Sequence, residues 1–155
     1  MLRKTRAFSL IEVLIVVVIL GILAAVAIPQ FAGASDDAKT SATMSTVAGV
    51  RSAIATYRTS AVIQGNDPYP TLAQLQDGSV IKFEIPANPF TDVSGIQSVG
   101  QAQAEARGIS NTTTAGWNYF VDNNANPPVA VFYPNSGDAT TQSDGASGNL
   151  NANEL

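Results

Sequence analysis

The chain has 155 residues and a formal net charge of −4, and its charged share of 13% is well below the roughly 25% usual in soluble domains. It contains no cysteine and no histidine, which excludes disulfides and thiolate nucleophiles and removes the commonest general base and metal ligand. The acidic balance offers no basic surface for phosphates, so no nucleic-acid partner is expected. The length allows one small domain besides any membrane segment.

The N-terminus combines a basic start with a long apolar segment. Three basic residues lie within residues 1–7, and only Ser9 and Glu12 are polar within residues 8–28. An apolar stretch of this length predicts a membrane-spanning helix, because it would extend roughly 30 Å. Basic residues beside a span stay in the cytoplasm, which predicts that the rest of the chain lies outside it.

A secretory signal peptide has the same basic start and apolar middle. Small-residue cleavage sites occur at 25–27 and 32–34. Against removal, the apolar run over 13–28 is slightly longer than the usual signal-peptide core, and Glu12 is costly in a segment selected only for hydrophobicity. We favour a retained segment, with a simple one-span anchor as a further alternative.

Glu12 is the acid inside the apolar segment. Acids in apolar spans are rare and are candidates for function. Cleavage between Ala7 and Phe8 would create an ammonium group four residues before Glu12, which could pair with this carboxylate in the same chain or in a neighbouring copy. The alternative is a carboxylate that is favoured by the helix macrodipole or is protonated. The residues alone favour neither hypothesis.

Residues 6–31, RAFSLIEVLIVVVILGILAAVAIPQF, closely resemble the N-terminal segment of type IV prepilins and type II secretion pseudopilins. The resemblance implies a leader peptide over 1–7 that a prepilin peptidase removes by cleavage between Ala7 and Phe8. It also implies N-methylation of Phe8. The family usually has glycine immediately before the cut, where this chain has Ala7.

The same resemblance implies roles and partners for the rest of the chain. Glu12 is implied in filament assembly, and Pro29 occupies the position of a helix-bending proline. The implied fold is pilin-like and α+β, with a long N-terminal helix that spans the membrane in its first half and packs against a small antiparallel β-sheet. The implied partners are further copies in a homo-oligomeric filament, other pilins or pseudopilins, the prepilin peptidase and an inner-membrane assembly platform.

The helix is predicted to continue beyond Pro29, where the ring should bend or locally melt it. We predict a transmembrane half over 8–30 and an amphipathic half over 31–62. Arg51 and Arg58 share one helix face, for which solvent exposure is the favoured interpretation and pairing with acids of another subunit the alternative. Apolar residues on another face recur at spacings of three and four, namely Met44, Val47, Val50, Ile54, Tyr57 and Ala61.

Residues 63–134 are predicted to form a small α+β domain that uses this apolar stripe as one wall. Thr71 and Gln74 have the spacing of a capping box before a short helix. Alternating apolar and polar residues predict an antiparallel hairpin over 116–133. Residues 135–155 are polar and nearly devoid of apolar side chains, which predicts a flexible tail.

No cofactor is predicted with this composition, and calcium is the alternative. Some major pseudopilins bind calcium through a C-terminal loop, and Asp138 and Asp144 offer oxygen ligands in the corresponding region. Their spacing does not specify a site, so we favour two solvated acids.

Three classes of function remain after these exclusions. The favoured hypothesis is a structural filament subunit, most like a type II secretion major pseudopilin, and the alternative is a type IV pilus subunit for adhesion, motility or DNA uptake. A secreted or anchored enzyme or binding module is the rival of a different class. The chain lacks a nucleotide-binding glycine loop and any Ser–His or Cys–His pair, so no enzyme is expected. The expected location is the inner membrane, with a single span and the C-terminal domain in the periplasm or on a surface filament.

Overall fold

The computed structural model describes residues 8–155. The predicted leader over 1–7, with Ala7 at the cut, lies outside the described residues. The chain divides after Asp36 into two compact units.

The long helix α1 covers Leu10–Gln64. The helix begins and ends two residues later than the predicted bounds of 8 and 62. Pro29 lies inside α1, and the residues on both sides of it are helical. Local melting at Pro29 is therefore not observed, and the bend stays a prediction.

The second unit contains a three-stranded sheet in the order β1 (Ile96–Ser98), β2 (Trp117–Asp122) and β3 (Val129–Pro134). The strands β2 and β3 pair antiparallel, which confirms the hairpin predicted over 116–133. The strand β1 joins β2 in parallel and was not predicted. The fold is α+β, as expected. The elements of this part are α2 (Leu72–Gln76), β1 (Ile96–Ser98), α3 (Gln101–Glu105), β2 (Trp117–Asp122) and β3 (Val129–Pro134).

One face of the sheet packs against α1. Alternate side chains of a strand point to opposite faces, so Trp117 and Tyr119 both face the helix. The predicted stripe supplies the helix side of this core, although Met44 is 41% exposed. The buried cluster consists of Val47, Val50, Ile54, Leu75, Ile81, Ile96, Trp117, Tyr119 and Phe132. On the other face of the sheet, Tyr133 packs with Val99 and with Ala104 of α3.

The predicted capping box is present at the start of α2. The Thr71 hydroxyl accepts from the backbone N–H of Gln74 at 3.3 Å, and the Gln74 side chain accepts from the N–H of Thr71 at 2.8 Å. These two bonds satisfy donors that the first helical turn leaves free.

The predicted flexible tail over 135–155 is wrong. These residues form a second hairpin from β4 (Ala139–Ser143) and β5 (Asn149–Asn151), followed by a 3₁₀ turn over Ala152–Glu154. The hairpin is held by polar contacts, such as the Thr140 hydroxyl donating to the carbonyl of Leu150 at 2.7 Å. A polar composition therefore did not prevent order here, because hydrogen bonds replace apolar burial.

Asn135, at the start of the supposed tail, is fully buried. Its side-chain NH₂ donates to the carbonyl of Ala115 at 2.8 Å, and its side-chain oxygen accepts from the N–H of Ser110 at 2.9 Å and from the Asn118 side chain at 3.1 Å. This side chain thus fastens the loop before β2 to the end of β3.

The burial of Tyr119 predicts an alkaline limit to stability. This side chain is 1% exposed, its hydroxyl donates to the carbonyl of Pro70 at 2.7 Å, and burial raises its pKa. An unfolded tyrosine ionises near about pH 10. The stability contributed by Tyr119 is therefore fully present below about pH 10 and is lost as the pH rises through the higher pKa of the folded state.

We expect the free energy of unfolding of Tyr119→Phe to fall less steeply above about pH 10 than that of the unsubstituted chain. Below that pH the variant should be about 1 kcal/mol less stable, because it lacks the bond to Pro70. Denaturant titrations across the pH range measure both effects. Tyr57→Phe is the matched control, and equal slopes for Tyr119→Phe and the unsubstituted chain would contradict the prediction.

Candidate functional site

The start of α1 positions Glu12. Ser9 precedes the helix, and its hydroxyl accepts from the backbone N–H of Glu12 at 3.2 Å. The Ser9 carbonyl accepts from the N–H groups of Glu12 at 3.1 Å and Val13 at 3.4 Å. Ser9 therefore caps the first turn. It was not among the predicted site residues, although the Ser-x-x-Glu spacing is the sequence pattern of a capping box.

The charge environment of Glu12 is simple. The residue is exposed and lies in the first turn, where the helix macrodipole favours a negative charge by about 0.3–1 kcal/mol. Residues 8–38 contain no lysine or arginine. The described part of the first unit thus offers Glu12 a favourable dipole and no cation.

The apolar part of α1 is exposed within residues 8–155. A window of this helix is long and apolar enough to cross a membrane, and none of it is buried. The exposed fraction is 80% for Phe8, 84% for Leu10 and 51% for Ile19. Exposed apolar surface of this extent marks a contact with lipid or with other protein. By length and composition this segment is a candidate membrane span.

Within the described residues, the predicted site residues lie just before α1 and within it. Phe8 precedes α1, Glu12 lies in its first turn, and Pro29 lies 17 residues beyond Glu12 in the same helix. Ala7 is outside the described residues. The arrangement has the form of an extended contact surface with one acid at its start.

The two candidate calcium ligands, Asp138 and Asp144, accept hydrogen bonds from nearby residues of the same turns. Asp138 accepts from the Ser136 hydroxyl, and Asp144 accepts from the N–H groups of Ala146 at 2.7 Å and Gly148 at 3.1 Å. These backbone bonds lower the pKa of Asp144. Across the described residues no group of three acids is placed to hold a metal ion.

Comparison with known proteins points to the same N-terminal segment. Residues 2–28 match the family described as the prokaryotic N-terminal methylation motif. The chain is 32% identical over 84 residues to the type II secretion system core protein G of Klebsiella michiganensis, which covers 54% of this chain and 56% of the relative. It is 34% identical over 88 residues to the protein of the same name from Vibrio cholerae, with 57% and 55% covered.

A pilus protein is also similar. The type IV narrow pilus major component PilA5 of Thermus thermophilus is 46% identical over 52 residues, which covers 34% of this chain and 45% of the relative. The chain spans about half the length of the curated relatives it matches. No solved structure matches it. The chain therefore carries the prokaryotic N-terminal methylation motif, and over part of its length it is similar to type II secretion core proteins and to a type IV pilus component.

Proposed function

We propose that this chain is a structural subunit of a pilin-like filament, stored in the inner membrane and assembled from it. The observation that carries the proposal is the fully exposed apolar segment of α1 with Glu12 at its start. In a membrane these side chains contact lipid, and in a filament they contact the same segment of other copies. In both the membrane and the filament, the segment therefore contacts only apolar groups.

In this proposal, Glu12 makes the contact between neighbouring copies specific. Apolar helices gain little by exchanging lipid contacts for protein contacts, so specificity must come from packing and from polar pairs. Cleavage between Ala7 and Phe8 would supply an ammonium group for the Glu12 carboxylate of a neighbouring copy. The pair would neutralise two charges that lipid solvates poorly. N-methylation of Phe8 and a bend at Pro29 belong to the same proposal.

The similarity to proteins named core protein G supports a type II secretion pseudopilin. The partners would then be other pseudopilins, a prepilin peptidase and an assembly platform, with the second unit in the periplasm. The second candidate is a type IV pilus subunit. The observation that favours it is the identity to PilA5, which is higher than the identity to the core proteins but covers a shorter stretch. Deletion of the gene separates the two, since loss of protein secretion supports the first and loss of pili with intact secretion supports the second.

The test of the proposed function is the mature N-terminus together with the assembled state. We expect mass spectrometry of the chain from its native membrane to find a methylated N-terminus at Phe8, and electron microscopy to find filaments that bind antibody to the second unit. A mature protein beginning near residue 28 or 35 would contradict the proposal, because the apolar segment would be missing. A chain that keeps this segment and stays monomeric in lipid would also contradict it.

A further inference from the structure

Three of the five basic residues that lie beyond the predicted leader line one groove in the second unit. Arg51 and Arg58 come from α1, and Arg107 follows α3. Tyr69 and Phe132 form part of the walls, and the groove has a volume of about 310 Å³. We call this feature the arginine groove. Such a concentration of cations is unexpected in a chain with twelve acids and eight basic residues.

The guanidinium groups of the arginine groove meet carbonyl oxygens and aromatic rings. Arg51 donates to the carbonyls of Phe132 at 3.0 Å and Leu155 at 2.8 Å. Arg58 lies 5.0 Å from the ring centroid of Tyr69. Among the described residues that line the groove there is no carboxylate. No aspartate or glutamate side chain among these lining residues therefore offsets the three positive charges.

Two further observations describe the surroundings of Arg51 and Arg107. Burial and the nearby Arg107 charge lower the pKa of Arg51. Arg107 Nη1 is shielded from solvent and has no hydrogen-bond partner among the described residues. The guanidinium carbon of Arg107 lies 5.6 Å from the centroid of the Tyr133 ring. A carboxylate is the natural partner of the guanidinium groups of the exposed residues Arg51 and Arg58.

We propose that the arginine groove binds the adjacent acids Asp36 and Asp37 of a second copy of this chain. This inference rests on the proposed filament function, because it names a contact between subunits. Asp36 and Asp37 are the only two acids adjacent in the sequence, and both are exposed on α1. The apolar walls beside the arginines suit Ala38, the small apolar residue that follows the acidic pair.

Charge balance favours a second copy as the occupant. Removal of the leader would take three basic residues and leave five against twelve acids, a formal side-chain charge of 5 − 12 = −7. Copies with this charge repel one another unless acids of one meet the few cations of the next. Every copy carries both the groove and the acidic pair, so the contact is head-to-tail and leaves open ends, as a fibre requires.

The position of the two surfaces fixes an axial offset between copies. Ala38, next to the acidic pair, and Ala55, in the groove, lie 17 residues apart in α1. This separation corresponds to about 26 Å along a helix. Neighbouring copies with parallel helices would therefore be displaced by about the same distance.

The absence of cysteine makes cross-linking a clean test. Ala38→Cys and Ala55→Cys are placed in separate, differently tagged copies of the full chain that are expressed together in the native membrane. A disulfide needs Cα atoms about 4.4–6.8 Å apart, so an efficient cross-link between the two tags reports the proposed contact. Ala38→Cys combined with Ala73→Cys, an exposed alanine on α2, is the matched control and should give a cross-linked fraction at least fivefold lower.

A charge exchange tests the chemistry of the contact. Arg58→Asp in the copy with Ala55→Cys should lower the cross-linked fraction at least fivefold, and Asp36→Arg with Asp37→Arg in the other copy should restore it. Lys82→Asp, which lies outside the groove, should leave the fraction unchanged. A cross-link that survives Arg58→Asp, or a loss that the exchange does not restore, would overturn the assigned pairing.

The two proposals fail separately. If filaments form but the Ala38–Ala55 cross-link is absent, the assigned occupant is wrong and the filament function stands. If citrate or phosphate binds in the groove and no cross-link forms, the occupant is a small anion and not a second copy of the chain. If the unsubstituted chain forms no filaments, the proposed function itself is wrong.

Discussion

Glu12→Ala is expected to leave the chain in the membrane and cleaved at Phe8, but to lower its incorporation into filaments at least tenfold. The substitution removes only a weak macrodipole interaction from the isolated helix, about 0.3–1 kcal/mol, so α1 and its apolar surface should persist. In the filament it would leave the ammonium group of a neighbouring copy without its carboxylate. Losing a charged hydrogen-bond partner at a desolvated contact costs about 1.5–3 kcal/mol, which corresponds to roughly a 10- to 150-fold change in equilibrium.

The measurement is the ratio of sheared filament protein to membrane-stored protein, with the mature N-terminus checked by mass spectrometry. Glu12→Asp keeps the charge with a shorter side chain and should retain part of the assembly. Ser9→Ala is the control for the helix cap, because it removes the hydroxyl that accepts from Glu12 while leaving the carboxylate in place. A normal filament yield from Glu12→Ala would remove the proposed role of this residue.

Trp117→Ala is expected to have the largest effect on stability, a loss of about 3–5 kcal/mol. The side chain is fully buried in the core between α1 and the sheet. Its ring stacks on Phe132 with centroids 5.6 Å apart, and its indole N–H donates to the carbonyl of Pro86 at 2.9 Å. The variant would lose both contacts and leave a cavity that its neighbours cannot fill.

Thermal or denaturant unfolding of the full chain in detergent, followed by circular dichroism, measures this loss. The melting temperature should fall by roughly 10 °C or more. Trp117→Phe keeps an aromatic ring but loses the bond to Pro86, so an intermediate loss is expected. Met44→Ala is the control on the exposed part of the same helix stripe, and a Trp117→Ala variant as stable as this control would contradict the packing described here.

The elements that were predicted correctly are those whose sequence patterns lie within their own residues. The apolar run predicts the start of α1, Thr71 and Gln74 predict the start of α2, and alternation predicts the hairpin of β2 and β3. The strand β1 has only three residues and pairs in parallel with a strand nearly twenty residues further on. Such a strand exists because β2 is already in place, and nothing within its own three residues indicates it.

The error over 135–155 has a different cause. The prediction counted apolar side chains, and this segment has almost none. Its order depends on long-range polar contacts, such as the N–H of Thr141 donating to the Thr40 hydroxyl at 3.1 Å. The buried Asn135 illustrates the same point, since its three partners come from loops and a strand that precede it in the chain. A count of hydrophobic residues cannot detect a segment held by hydrogen bonds.

The candidate site could be located from the sequence, but its partner could not. A single acid in an apolar run identifies Glu12 without a structure. The cation that it is proposed to meet belongs to another copy, and neither the sequence nor the fold of one chain contains that contact. Arg51 is exposed, as predicted, but its exposure alone does not indicate its bonds to Phe132 and Leu155.

The second hairpin, β4 and β5, carries a consequence for how this surface can change over evolutionary time. Because backbone groups and short hydroxyl side chains make most of its contacts, many amino acids can replace its outward residues without disturbing the packed interior. Thr140 of β4 and Ala152 of the following 3₁₀ turn are buried, and most positions between them are exposed. Sequence drift should therefore concentrate on this hairpin, so related chains would differ on this surface while keeping the same scaffold.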